Sequence, residues 1–130
     1  MSTRWPVGTF SLFLVWFALG CDGSPSGPGS LLVTVEVPSA SLGAATLEVV
    51  GSGITGFEGM GSTHAYGALV SARQRRHRVV LVDPQGGTLQ VAVQMEDVRA
   101  DPPRITVVAA AGTDDLERST SDVEVRIDGR

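Results

Sequence analysis

The segment LLVTVEV, residues Leu31–Val37, places a large aliphatic side chain at every second position. The intervening positions carry Leu32, Thr34 and Glu36, so one face of an extended chain is apolar and the other is mainly polar. A period of two residues is typical of a β-strand that buries one face and exposes the other. The segment therefore predicts a half-buried strand at the start of a folded domain.

The same alternation recurs downstream and predicts an all-β fold. It is found in Ala45–Val50, Leu89–Met95, Ile105–Ala109 and Val123–Asp128. Arg78–Asp83 is apolar on both faces, which predicts a central strand, and Tyr66–Ala72 predicts a weaker one. Asp83–Gly87, DPQGG, predicts a turn because proline presets one dihedral angle and glycine allows a positive φ. Short strands without helical spacing favour a single antiparallel β-sandwich over an open barrel.

The residues before the first strand have the organisation of a secretory signal peptide. Arg4 is the only charged residue in residues 1–20, and a mainly apolar run extends from Phe10 to Leu19. A charged start, an apolar stretch of about 7–15 residues and an exit of small residues describe such a signal. The run is too short for a transmembrane helix, which needs about 20 apolar residues.

Cys21, the only cysteine of the chain, ends the sequence Ala18-Leu19-Gly20-Cys21. This sequence resembles the lipobox of bacterial lipoproteins. The resemblance implies that residues 1–20 are removed on export, that Cys21 is lipidated, and that the lipid anchors the protein to a membrane of the bacterial cell envelope without spanning it. The alternative is an ordinary signal peptide with an incidental cysteine near the cleavage site. An intramolecular disulfide is excluded because the chain has no second cysteine.

Residues 21–30 join the signal peptide to the domain, which we place at residues 31–129. The segment Asp22–Ser30, DGSPSGPGS, has the composition of a flexible linker. All ten basic residues are arginine, and the chain after residue 20 has nine arginines against fourteen acids, a net charge of −5. Domains that bind nucleic acid are normally basic, so nucleic acid is not an expected partner.

The stretches Leu42–Ile54, LGAATLEVVGSGI, and Met95–Ala109, MEDVRADPPRITVVA, resemble small cohesin-like domains of bacterial lipoproteins. The resemblance implies a β-sandwich that holds or contacts another molecule, and it implies no catalytic residues. The expected fold is therefore an Ig-like or cohesin-like sandwich of seven or eight strands.

The segment Arg73–Arg78, RQRRHR, concentrates positive charge in an otherwise acidic domain. Its arginines are candidate anion-binding residues for lipid headgroups or an acidic polymer. They are Arg73, Arg75, Arg76 and Arg78. On an extended chain Arg73, Arg75 and His77 share one face. The alternative is a solvated loop that leads into a strand, since charged residues also protect strand edges.

The remaining motifs predict no catalytic or metal site. Gly51–Gly56 matches G-x-G-x-x-G, but two more glycines follow it and disfavour the helix that a dinucleotide site requires. His64 and His77 lack a third zinc ligand nearby, and the acids from Asp114 to Asp122 fit no calcium loop. We expect no cofactor and no metal.

The expected function is a non-enzymatic binding or scaffolding module that contacts an unidentified envelope protein or polymer. One alternative is a small exported enzyme, or an enzyme subunit, that uses the Gly-rich segment and His64. A third possibility is a purely structural envelope protein.

Overall fold

The computed structural model describes residues 27–129, which form nine β-strands and no α-helix. The strands are β1 (Gly29–Glu36), β2 (Leu42–Val50), β3 (Ile54–Gly59), β4 (His64–Ser71), β5 (Arg76–Gly87), β6 (Leu89–Met95), β7 (Arg104–Ala111), β8 (Glu117–Arg118) and β9 (Glu124–Asp128). A short 3₁₀ turn, Thr120–Asp122, precedes β9. The expected all-β class is confirmed.

The strands form two sheets that pack face to face as a β-sandwich. One sheet has four strands in the order β3-β6-β1-β9, and the other has five in the order β4-β5-β2-β7-β8. Every pairing between neighbouring strands is antiparallel. The sandwich expected from the sequence is therefore confirmed.

Alternate residues of the inner strands form an aliphatic core between the two sheets. Val33 and Val35 of β1, Leu47 of β2 and Leu81 of β5 have no exposed surface. Each fully buried valine or leucine stabilises the fold by about 1.5–3 kcal/mol. The two-residue pattern of the sequence is thus the pattern of burial in the core.

β5 is longer than expected and contains the turn predicted at Asp83–Gly87. In the pairing with β2, Ala44 lies opposite Val82 and Leu42 lies opposite Gly87, so the strand bulges between these positions. The Asp83 carboxylate accepts a hydrogen bond from the Gln85 N–H at 2.9 Å, and Gly86 has a φ of 75°. The hydrogen bond and the positive φ are those expected of a turn. β5 does not end there, however, because Gly87 pairs again with β2 beyond it.

β3 lies in the glycine-rich region that the sequence indicated as turns and kinked strand ends. Phe57 packs against the core from β3, and its ring occupies the space that a side chain on Gly67 of β4 would fill. The two strands belong to different sheets, so this close approach joins the sheets along one edge. β3 and the two-residue β8 raise the number of strands above the seven or eight expected.

The connections divide between two ends of the sandwich. Gly29 pairs with Met95, and Val50 pairs with Arg76 and Arg104. The start of β1, the β4–β5 turn and the β6–β7 connection therefore share one end, which we call the arginine end. The acids opposite it define the acidic end. They are Glu36, Asp83, Asp114, Asp115, Glu117, Asp122 and Glu124.

Candidate anion-binding site

The candidate arginines lie on the β4–β5 turn and at the start of β5. Residues 72–75 form the turn, and the Arg75 N–H donates to the Ala72 carbonyl at 3.2 Å. Arg75 has a φ of 53°, in the left-handed region. The expectation that Arg73, Arg75 and His77 share an extended face is therefore wrong, because a left-handed turn residue interrupts the extended chain.

β5 divides the rest of the stretch between its two faces. Arg76 and Arg78 lie on the outer face of the five-stranded sheet, since they alternate with Val79, which is fully buried. His77 faces the other sheet, where its ring meets that of Phe57 edge-on with 5.5 Å between the centroids. The histidine therefore contributes to packing between the sheets and not to the arginine surface.

Arg104, which sequence reasoning missed, lies beside these arginines. Val50 of β2 is opposite Arg76 on one side and opposite Arg104 on the other. Neighbouring strands are about 4.8 Å apart, so the backbones of the two arginines are about 10 Å apart. The sequence places Arg104 next to a predicted strand, but only the strand order β5-β2-β7 brings it to Arg76. The arginine cluster comprises Arg73, Arg75, Arg76, Arg78 and Arg104.

Most of the arginine cluster has no carboxylate partner within residues 27–129. The exception is Arg78, whose guanidinium lies 3.4 Å from the Glu48 carboxylate. Arg75 donates to the Ser52 hydroxyl at 2.6 Å, and this neutral partner leaves its charge uncompensated. The Nε of Arg76 is buried without a hydrogen-bond partner in the described domain. The cluster therefore presents positive charge that the domain itself does not neutralise.

The arginines away from the cluster on β8 and β9 are paired. Arg118 lies 3.1 Å from the Asp114 carboxylate, and Arg126 lies 3.0 Å from that of Asp128. The Asp128 carboxylate raises the pKa of Arg126 through a hydrogen bond and through its charge. The charges of these two arginines are therefore neutralised by neighbouring carboxylates, unlike those of the unpaired members of the cluster.

The arginine end also carries three acids, on the β6–β7 connection. They are Glu96, Asp97 and Asp101. The Asp97 carboxylate accepts hydrogen bonds from the Arg99 N–H at 2.9 Å and from the Gly27 N–H at 3.2 Å. These two bonds lower the pKa of Asp97. Glu96 and Asp97 directly follow β6 of the four-stranded sheet, whereas Asp101 lies three residues before Arg104, on the chain that leads into β7 of the other sheet.

An open groove of 420 Å³ runs beside the β4–β5 turn. Leu69, Arg75 and His77 line it together with the Gly-rich residues Gly51–Ile54. Leu69 is 57% exposed, and the His77 Nδ1 is buried without a hydrogen-bond partner in the described domain. The groove adds an apolar wall to one side of the arginine cluster.

The two features of the enzyme alternative lie at opposite ends of the domain. The Gly51 N–H donates to the Arg75 carbonyl at 3.1 Å, at the arginine end. His64 begins β4 opposite Val82, close to the acidic end. Six residues of β5 lie between Arg75, which contacts Gly51, and Val82, which lies opposite His64. The two features are therefore about 20 Å apart along the strand. Residues 27–129 contain no group of three histidine, cysteine, aspartate or glutamate side chains that could hold a metal ion.

Cys21 and the whole of residues 1–26 lie outside the described residues. Within the described part of the chain, no helix is long and apolar enough to span a bilayer. The first described residues, from Gly27 onward, lie at the arginine end, where the Val98 N–H donates to the Gly27 carbonyl at 3.0 Å.

Comparison with known proteins gave no match to a family model, to a curated protein or to a solved structure.

Proposed function

We propose that this chain is a lipoprotein of the bacterial envelope, anchored to a membrane through a lipid on Cys21, and that its sandwich is a non-catalytic binding module. In this proposal the domain contacts an envelope protein or polymer, and the arginine cluster holds an anionic group of the envelope. The lipobox sequence supports the anchor, and the arrangement of charge in the domain supports the binding role.

The observation that carries the binding role is the set of arginines without carboxylate partners in a domain with a surplus of acids. An arginine guanidinium presents five donors in a fixed fork and recognises carboxylate and phosphate groups in pairs of hydrogen bonds. The strand pairing fixes the backbone positions of Arg76 and Arg104 on the outer sheet face, and Arg73 lies on the exposed turn beside them. The spacing between the arginine backbones is therefore set by the fold, which suits an anion that reaches across two strands.

Binding of polyphosphate to the lipid-free mature chain, with Cys21→Ser, tests the role of the cluster. We expect R73Q/R104Q to weaken binding and to lower its dependence on salt, because fewer ionic contacts remain to be screened. The matched control is R118Q/R126Q, which changes the net charge equally but removes paired arginines. Equal losses in the two variants would show that net charge, and not the cluster, determines binding.

A further inference from the structure

The start of the domain is held against the arginine end. The Gly27 N–H donates to the Asp97 carboxylate at 3.2 Å, the Gly27 carbonyl accepts from the Val98 N–H at 3.0 Å, and Gly29 then pairs with Met95 in the four-stranded sheet. These contacts fix the point at which the chain from Cys21 joins the sandwich. That point lies at the same end as the arginine cluster.

The length of chain between the anchor and this point is short. Gly27 is six positions after Cys21, and even a fully extended chain over those six steps spans only about 20 Å. β1 then runs from Gly29 to Glu36, which carries the opposite end of the domain about 23 Å further along the strand direction. A lipid on Cys21 therefore keeps the arginine end within reach of the membrane surface.

Charge favours the same orientation. The unpaired arginines lie at the end that the anchor holds, and the acidic end lies at the opposite end of the strands. An anionic leaflet attracts each arginine near its surface, and the attraction falls off within a Debye length of about 8–10 Å. The same field repels the acidic end. A domain of net charge −5 is attracted to such a surface only when its cationic end faces it.

We propose that the arginine cluster docks the sandwich onto anionic phospholipid headgroups of the membrane that holds its anchor. This inference rests on the proposed lipid anchor and names the anionic partner of the cluster. The domain then presents to the membrane its arginine end and the adjoining outer face of the five-stranded sheet, and its acidic end lies farther from the surface. The anchor by itself holds the protein on the membrane, and the cluster orients the domain against the membrane surface.

The test uses the mature protein acylated at Cys21 and reconstituted into vesicles. A donor dye is placed on Q74C, in the β4–β5 turn, or on S39C, in the exposed turn after β1 at the opposite end. An acceptor lipid in the vesicle reports the distance of each dye from the surface. Vesicles of phosphatidylcholine alone are compared with vesicles that also contain phosphatidylglycerol.

We expect phosphatidylglycerol to increase energy transfer from position 74 and to leave it low from position 39. R73Q/R104Q should lower the ratio of docked to undocked domain about 25-fold, at roughly fivefold for each arginine near the surface. R118Q/R126Q should retain docking. Energy transfer from position 74 that is the same on both kinds of vesicle would overturn the docking proposal.

The outcomes separate docking from anchoring. Protein that stays on phosphatidylcholine vesicles but shows no response to phosphatidylglycerol retains its anchor and refutes docking. If that protein also binds polyphosphate through the cluster, the ligand is a polymer and not the membrane. Protein that does not stay on phosphatidylcholine vesicles lacks a functional anchor, which refutes the proposed anchoring and the docking that depends on it.

Discussion

The carboxylate of Asp97 accepts the N–H of Gly27 at 3.2 Å and so ties the start of the domain to the β6–β7 connection. The pairing brings together residues that are 70 positions apart in the chain. It also places Gly27, the first described residue, at the arginine end. The proposed anchor at Cys21 is six positions before this residue, and the arginine end carries the only surface with several unpaired arginines in residues 27–129.

Asp97→Asn should loosen this attachment. Replacing the charged carboxylate weakens the hydrogen bonds from the N–H groups of Arg99 and Gly27, because bonds to an ionised acceptor are the stronger ones. Hydrogen exchange should become faster at the amides of Gly27 and Val98 and stay unchanged at Val33 in the core. Unchanged protection of Gly27 would show that the carboxylate does not hold the start of the domain.

The pH dependence of Asp97 has a definite sign. Backbone hydrogen bonds lower its pKa below the ordinary value of 3.8 in the folded state. A carboxyl group with a lowered folded pKa stabilises the fold above its unfolded pKa, and this contribution is lost as the pH falls through the folded pKa. Urea unfolding of D97N should therefore lose less stability on acidification than the parent does. Parallel pH profiles would contradict this.

Asp83 offers a second test of an acidic contact. Its carboxylate accepts the Ser62 hydroxyl at 2.7 Å, and this bond is the main reason that the pKa of Asp83 is lowered. Ser62→Ala should raise the pKa of Asp83 towards its ordinary value, as followed by the NMR titration of its carboxyl carbon. Ser39→Ala, in another exposed turn, is the control. An unshifted titration in S62A would assign the lowered pKa to the backbone donors alone.

The core depends on a few central aliphatic side chains. Leu47 has no exposed surface, and L47A removes methyl groups that the surrounding strands cannot replace. We expect a loss of about 2–5 kcal/mol in the free energy of unfolding. Val80 lies on the outer face of β5 and is 38% exposed, so V80A should cost much less. Similar losses in urea unfolding of the two variants would contradict the assignment of the two faces of the sheet.

Gly67 of β4 leaves room for the ring of Phe57, at the edge where β3 of one sheet approaches β4 of the other. Gly67→Ala should therefore force the ring to move and lower the free energy of unfolding by about 1–3 kcal/mol. In a double-mutant cycle, adding F57L should recover part of this loss, because the smaller side chain frees the space. Additive losses would show that the two positions are independent.

Much of the fold follows from simple alternation in the sequence. Leu31–Val37 and Leu89–Met95 bury every second side chain against the core, and one buried face is enough to specify which side of a strand faces the core. Thr34 and Ala92, on the other face, are buried as well, so these two inner strands of the sheet are less exposed than the alternation predicts. β3 does not show this pattern, because its two apolar residues that pack against the core, Ile54 and Phe57, are three positions apart, and glycines occupy two of the other positions. Its place as a strand depends on pairing with β6, which only the assembled sheet supplies.

The candidate site was predictable only in part. The arginines from Arg73 to Arg78 are contiguous and can be identified from the sequence. Arg73 and Arg75 lie on a turn, whereas Arg76 and Arg78 lie on the outer face of β5. This division depends on the left-handed conformation of Arg75, and the presence of an arginine does not indicate that conformation in the sequence. Arg104 joins them because β2 lies between β5 and β7, and strand order is not encoded in any local pattern.

The intact mass of the protein recovered from the membrane fraction of a bacterium that expresses the full chain tests the central claim most directly. A chain that lacks residues 1–20 and carries acyl groups on Cys21, beside an unmodified Cys21→Ser variant, is the expected result. A lipid-free chain recovered in the soluble fraction would contradict the anchor and, with it, the membrane orientation of the arginine cluster.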